Sequence, residues 1–457
     1  MKIIIAIFLF VLSVLLIGQN LDKPFWGVHD WNGVRYGNIA RNYLRYGILE
    51  TKLGQVENSG PAKPAEFEYY THYSPLLPLS IAFSYRFFGI SEWSTRVVPT
   101  LFTSLTIVLI FLIGSKLWDL RIGVIAGVLA LATPMVLYFG KNVSHEPLTL
   151  FFILLTFFGY LQFSGAGKLV FKLVFIMGLV LVQLSVWAGY FLVPAITLVL
   201  LLKRDWVGVR KIVPYWLISI FIFLIHLFHI YILTGTISGG DLFGSFLQRS
   251  GLSQSAQPEE FNFISYLNRL RLWFSTLFTL ILTILAFGWL ISKKFTKLEG
   301  RDWAVLILWV LGLIYILIFS NSVFIHNYLT IYFLPFLVLS AALFIDTVIK
   351  KLNLQKFYLI IVILIILAIF FERRAFLLAL NESNADKFAV EIGQAINQQT
   401  KVEDKVLISP AKFSYSAGKF LRFYSDRKLI YSNDSSLEHD VMVIIDQDKG
   451  KFEIITK

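Results

Sequence analysis

The sequence predicts an all-α polytopic membrane protein of about eleven transmembrane helices, ending in a small extracytoplasmic α/β domain. Three observations carry that class. Apolar residues make up 57% of the chain and charged residues only 15%, more apolar than a soluble chain of this size. The apolar residues fall in long, nearly charge-free runs, and about 20 such residues in a helix cross a bilayer. Beyond residue 372 the composition turns polar, and the apolar segments become short.

Taken in order, the runs near 3–18, 97–115, 122–140, 147–163, 173–187, 189–202, 212–235, 272–292, 303–320, 327–346 and 357–371 read as spans. The first follows Lys2 and lacks a small-x-small cleavage site, so it reads as a retained anchor. Residues 173–202 form one apolar stretch divided at Trp187-Ala188-Gly189. A single long helix there would reverse the orientation of everything downstream. The run 76–88 is too short to cross and is flanked by His72 and Arg86, which places it flat or re-entrant at the outer surface.

The short loops 116–121, 164–172, 203–211, 293–301 and 349–356 then share one side and hold fifteen Lys/Arg against three Asp/Glu. An excess of Lys and Arg marks the cytoplasmic side. Residues 19–96, 141–146, 236–271, 321–326 and those after 372 fall outside, as expected of a multi-pass protein of the plasma (cytoplasmic) membrane. The net charge of +12 comes largely from loops of this kind rather than from a basic stripe, which argues against a nucleic-acid partner. The chain has no cysteine, which excludes a disulfide framework and any cysteine-based nucleophile or metal site.

In the tail, Asn384 is placed to cap a helix through about 399 that carries Phe388, Ile392 and Ile396 on one face. Short strands are expected at 406–409, 428–431 and 441–445. No Gly-rich phosphate loop occurs in this region, so an accessory role is expected.

Charge placement narrows the function. Ion-coupled transporters bury ionisable residues at mid-membrane, whereas here such residues gather at the outer ends of helices. That pattern suits a site at the outer face, reached by a lipid-borne substrate from the side and a second substrate from water. Two outer loops, WGVHDWNGVRYGNIARNYLRYG and KNVSHEP, supply Asp30 and Glu146. Each has a structural reading too. Asp30 or Asn32 can cap the helix that follows, and Glu146 suits the head of a helix, where the macrodipole favours an acid. His226 and His229, three apart, fit either buried hydrogen-bonded histidines or a metal pair.

The first loop and the segment THYSPLLPLSIAFSYRFFGISEWSTRVVP together resemble the N-terminal module of the dolichyl-phosphate-mannose protein O-mannosyltransferases and their bacterial relatives, the aminoarabinose lipid A transferases. The matching pieces are Arg35-Tyr36-Gly37-Asn38-Ile39-Ala40-Arg41-Asn42, His72-Tyr73-Ser74-Pro75-Leu76, and Phe88-Gly89-Ile90-Ser91-Glu92-Trp93 with Arg96. Thr133-Pro134 through His145-Glu146-Pro147 resembles the segment that holds a second acidic residue, and His326 to Pro335 a late segment whose Tyr meets the donor phosphate. The resemblance covers roughly 1–350 and is strongest to about 165. One departure stands out. Counted back from Tyr36, the family's first acidic position falls on Asn32, so Asp30 lies two residues early and the usual following Glu is absent.

The resemblance implies a GT-C fold and inverting transfer of a sugar from a polyprenyl-phosphate donor, of undecaprenyl or dolichyl type, to an acceptor at the outer face. A carboxylate must then orient and deprotonate the acceptor hydroxyl, a role expected of Asp30 with Glu146 beside it. The departing phosphate needs charge neutralisation more than a proton. Arg35, His72, Lys141, His145, Arg249, Arg269, Arg271, His326 and Tyr328 are the candidates to supply it or bind the substrate. A divalent metal shared by Asp30 and Glu146 is a further possibility. Two other readings stand beside this one: a lipid or glycolipid transporter, which the charge-poor spans disfavour, and a catalytically inactive relative acting as a binding protein.

Overall fold

The computed structural model describes residues 1–236, 242–253, 261–293, 298–410 and 415–456. Among them, five helices are long and apolar enough to cross a membrane: Glu92–Leu117, His145–Ser164, Trp206–Thr234, Asn327–Lys351 and Gln355–Glu372. Phe263–Leu277 and Leu280–Lys293, which meet at 110°, make a sixth if they form one broken span. The other expected runs are occupied by shorter apolar helices: Lys2–Ile17, Leu120–Leu131, Leu169–Gln183, Trp187–Leu202 and Asp302–Ile318. Every expected run is therefore helical, while helix length by itself supports five or six crossings. Leu76–Phe88 forms a 13-residue helix packed against Trp31–Tyr46 and Glu92–Leu117.

Three breaks interrupt the apolar runs, each for a local reason. The run 122–140 stops at Leu131 and restarts as Pro134–Phe139, because Pro134 has no N–H to continue the ladder and Thr133 Oγ1 accepts from Val136 N at 3.3 Å. Around Trp187 the chain tightens into a 3₁₀ turn, Trp187–Phe191, in which Gly189 presses on the preceding helix. A Cβ there would sit 2.2 Å from Val182 O, so only glycine fits. The expected single span 272–292 is instead two helices. Thr279 takes a left-handed φ of 71° between them, and the Glu372 carboxylate accepts from Leu280 N (2.7 Å) and Ile281 N (3.0 Å) at the new helix start.

The polar loops gather at one end of the bundle. There β1 (Gln55–Val56) pairs antiparallel with β2 (Tyr69–Tyr70), putting Gln55 opposite Tyr70. At the C-terminus, β3 (Lys405–Ser409) runs parallel to both β4 (Lys428–Tyr431) and β5 (Val441–Asp446), and β6 (Lys451–Thr456) pairs antiparallel with β5. The order is β4-β3-β5-β6. Helices Lys387–Gln399 and Tyr415–Ser425 cover this sheet through Ile392, Ile396 and Leu421. The first of them starts later than expected. Asp386 holds its N-cap position, and Asn384 contributes only a backbone carbonyl, to Lys387 N. The second helix and β6 are additional elements with no counterpart in the sequence reading.

Tyr415–Ser425 also forms the seam between the C-terminal unit and the first loop. Phe420 and Phe423 join a core with Phe25, Val34, Tyr36 and Ile39. Gly37 makes this approach possible, since a Cβ would meet Phe423 Cε2 and Tyr85 Oη at 2.8 Å. Ion pairs line the rim: Arg41 and Arg45 to Asp426 (3.2 and 2.6 Å), and Arg422 to Glu68 (3.1 Å). Tyr424 Oη donates to Glu92 at 2.7 Å and accepts from Phe25 N.

Candidate active site

A cavity of about 320 Å³ opens where these loops meet the helix ends. The Trp31–Tyr46 helix lines it with Asn32, Arg35 and Tyr36, residues three and four apart and so on one face. Its other side is bolted to the hairpin: Asn38 and Asn42 amides donate to the carbonyls of Glu57, Asn58 and Val56 at 2.8–3.0 Å. Arg35 forms an ion pair with Glu57 and lies 4.1 Å over the Tyr70 ring. Burial opposes its charge, but Glu57 beside it raises the guanidinium pKa further.

His145 and Glu146 enter at the start of the His145–Ala166 helix. The His145 ring is wedged between Tyr36 (4.9 Å) and Tyr73 (4.8 Å). Glu146 is 6% exposed and is the one carboxylate among the described residues lining the cavity. Arg249, from Leu242–Ser250, lies 4.8 Å over Tyr73 and 3.4 Å from His72 Nδ1. His72 Nε2 in turn meets Ser245 Oγ at 2.9 Å.

The opposite element is the 3₁₀ segment Asn327–Phe333, which delivers Tyr328 and leaves His326 at its head. Asn32 Nδ2 donates to Tyr328 Oη at 3.5 Å. His29 backs this wall, its ring 4.8 Å from Tyr328 and 5.6 Å from His326. Its left-handed φ of 65° is a conformation that L-residues adopt at a cost of about 1 kcal/mol or more. Burial lowers the His29 imidazole to about 4, so it stays neutral near pH 7.

Several polar atoms around the cavity have no hydrogen-bond partner among the described residues: Arg249 Nη1, both ring nitrogens of His145, His326 Nδ1, Trp187 Nε1 and Asn321 Oδ1. Orphaned buried polar groups are costly and rare. Their concentration around one cavity is what a site built for a polar ligand requires.

Of the residues the sequence singled out, His72, Arg35, His145, Glu146, Arg249, His326 and Tyr328 line this cavity. Asp30 and Lys141 line a smaller one beside it, of about 30 Å³. There Asp30 accepts from Gly27 N (2.8 Å) and pairs with Arg96 (3.1 Å), a guanidinium only 5% exposed that also donates to the carbonyls of Leu21 and Lys23. Asp30 occupies the N-cap position of its helix without a side-chain cap bond. Lys141 Nζ donates to Gln19 O at 2.5 Å, and burial, reinforced by Arg96, lowers its pKa to about 8.

Arg269 stacks over Phe324 (4.8 Å) and Trp273 (5.4 Å) away from the lining, and Arg271 is exposed. His229 Nε2 lies 2.8 Å from Lys52 O. Among the described residues no group of three or more His, Asp or Glu is placed to hold a metal. Asp30 and Glu146 line different cavities.

Sequence reasoning missed Tyr36, Tyr70 and Tyr73 as lining residues, although Tyr36 and Tyr73 lie in the quoted segments and Tyr70 directly precedes the second. It also missed Lys419, which reaches the cavity from the Tyr415–Ser425 helix and sits 4.4 Å over Trp31. Burial, then Arg35, lowers the Lys419 ammonium to about 7.

The helical bundle with its loop-end cavity and appended α/β unit is a fold shared with several solved structures. Residues 72–231 match the family described as dolichyl-phosphate-mannose-protein mannosyltransferase. Among solved structures, ArnT from Cupriavidus metallidurans bound to undecaprenyl phosphate is similar at a TM-score of 0.65 and 15% identity, over 95% of this chain and 86% of that one. The oligosaccharyltransferase of Archaeoglobus fulgidus in complex with zinc and sulfate is similar at 0.61 and 16%, over 96% and 67%. The archaeal oligosaccharyltransferase AglB from the same organism, with an inhibitory peptide and a dolichol-phosphate, is similar at 0.60 and 14%, over 94% and 64%. No curated protein sequence matches the chain.

Proposed function

We propose that the protein is an inverting glycosyltransferase that moves a sugar from a polyprenyl-phosphate donor to an acceptor at the outer face of the membrane. The observation that carries this reading is the cavity itself: one carboxylate, Glu146, shares it with Arg249 and a ring of tyrosine and histidine side chains, and Arg249 Nη1, both His145 ring nitrogens and His326 Nδ1 have no hydrogen-bond partner among the described residues. The polyprenyl phosphates bound by the similar structures supply the donor chemistry by analogy.

Glu146 acts as general base. It takes the proton from the acceptor hydroxyl as that oxygen bonds to the anomeric carbon, on the face opposite the phosphate. The bond from that carbon to the phosphate oxygen breaks, and the polyprenyl phosphate leaves as an anion. Arg249 neutralises it through its Nη1, which has no hydrogen-bond partner among the described residues. A single displacement inverts the anomeric configuration.

Asn32 stands where the family carries an acid, and an amide cannot take a proton. Its donation to Tyr328 makes it a positioning residue. Asp30 acts likewise from outside the cavity, anchoring with Arg96 the turn that sets His29 and Trp31 in place. None of the described residues of the basic loops lines the cavity, which supports placing the site and the unit 372–457 outside the plasma membrane.

The test is release of labelled sugar from radiolabelled polyprenyl-phosphate hexoses by the purified protein. Donor-dependent release that is lost in Glu146→Gln supports the reading. Donor binding without release from any donor would replace it with a binding or transport role.

A further inference from the structure

We propose that His145 is a specificity-determining residue: its imidazole binds a ring hydroxyl of the donor sugar, so that donors without this hydroxyl are rejected. This rests on the transferase reading and adds the residue that selects the sugar and the group it reads. His145 is 2% exposed, lines the cavity, and has no hydrogen-bond partner at either ring nitrogen among the described residues. A histidine buried for packing normally has at least one nitrogen satisfied. Here the ring is held by aromatic contact, against Tyr36 at 4.9 Å and 87° and against Tyr73 at 4.8 Å and 60°. Those contacts fix its plane without using a polar atom.

The unpartnered atoms define the ligand's chemistry. A neutral imidazole offers one N–H and one lone pair. Elsewhere on the same cavity, Trp187 Nε1 can only donate and Asn321 Oδ1 can only accept, and neither has a partner among the described residues. Asn321 Nδ2 donates to Gln248 O at 2.8 Å, which fixes the amide and leaves its acceptor side unused. A phosphate or carboxylate only accepts and an ammonium only donates, whereas a hydroxyl does both. A ring bearing several hydroxyls is the ligand that meets this mixed set.

Position assigns that ring to the donor. Arg249, which takes the phosphate in the proposed reaction, lies 4.8 Å over Tyr73, the same ring that His145 packs against. Glu146, the proposed base, is the next residue and lines the same cavity. The transferred sugar must lie between the group that binds its phosphate and the base on its opposite face, and His145 adjoins both. An unpaired buried imidazole is costly in the empty protein, and a hydroxyl relieves that cost. A donor lacking the hydroxyl leaves the imidazole unpaired, which is how a polar site rejects a deoxy analogue.

The experiment titrates the full-length protein in detergent with undecaprenyl phosphate, with undecaprenyl-phosphate glucose and mannose, and with the monodeoxy analogues of each sugar. His145→Phe keeps a ring between Tyr36 and Tyr73 and removes both nitrogens, and His145→Gln restores one donor and one acceptor. The wild type is expected to bind at least one hexose donor about tenfold or more tightly than one of its monodeoxy analogues. In His145→Phe that gap should close by loss of affinity for the hexose donor, with the deoxy analogue unchanged, and His145→Gln should recover part of it. Undecaprenyl phosphate should bind equally to all three proteins. No gap in the wild type, or the same gap in His145→Phe, overturns the proposal. Equal losses for undecaprenyl phosphate and the hexose donors in both variants also overturn it, by assigning His145 to the packing of the cavity. A gap that follows His145, with no sugar released from any donor, would instead count against the transferase reading alone.

Discussion

Exchanging the two loop carboxylates for their amides separates catalysis from architecture. Glu146→Gln preserves volume at a 6% exposed position on the cavity and removes the base. General-base catalysis contributes roughly 10²- to 10⁴-fold, or about 3 to 5 kcal/mol of barrier, so the turnover rate should fall by that factor with donor affinity little changed. Asp30→Asn acts elsewhere. It removes the charge facing Arg96, a guanidinium 5% exposed. Breaking a buried pair costs about 3 to 5 kcal/mol. Arg96 keeps its bonds to the carbonyls of Leu21 and Lys23, so roughly 1 to 3 kcal/mol is expected here. Thermal unfolding in detergent should therefore shift for Asp30→Asn and hardly move for Glu146→Gln, whereas single-turnover sugar release should show the reverse order. A Glu146→Gln protein that turns over normally, beside a stable but inactive Asp30→Asn protein, would refute the assignment and return the base role to Asp30.

Two further outcomes follow from the same geometry. Arg249→Ala should weaken undecaprenyl phosphate binding by roughly ten- to a hundredfold, the worth of one charge-assisted hydrogen bond to a phosphate, measured by titration calorimetry. The Lys419 ammonium, lowered to about 7 by burial and then by Arg35, is charged below that pH and neutral above it. Thermal unfolding in detergent, followed as a function of pH, should carry this group's contribution, and Lys419→Arg should remove it. The groups that act on Lys419 electrostatically are Arg35, Glu57 and Arg422. A lysine pKa below its unfolded value leaves the unfolded chain holding more protons above pH 7, so this group's contribution to stability grows from there toward the ordinary lysine range.

The positions of the apolar helices were legible because a run of charge-free residues has few alternatives in a bilayer. Their interruptions were less so. The stop at Thr133-Pro134 could have been read from proline chemistry, but the bend at Thr279 depends on Glu372, more than ninety residues away. The cavity was legible where function and local pattern coincide, as at Arg35, His72, His145 and Glu146, all of which line it. Asp30 and Asn32 show the limit. Two residues apart, both open to capping or catalysis, they point into different cavities because Arg96, on a later helix, captures one of them. Lys419 carried no sequence signal, since nothing local says that its helix docks on the first loop nearly four hundred residues earlier.

The most direct measurement of the central claim is the fate of the sugar from an anomerically defined, labelled polyprenyl-phosphate hexose incubated with the purified protein and a membrane extract as acceptor source. The account expects the label to leave the lipid, to appear on an acceptor with inverted anomeric configuration by NMR, and to stay on the lipid with Glu146→Gln. Label that remains on the lipid with the native protein, or a product of retained configuration, would contradict it.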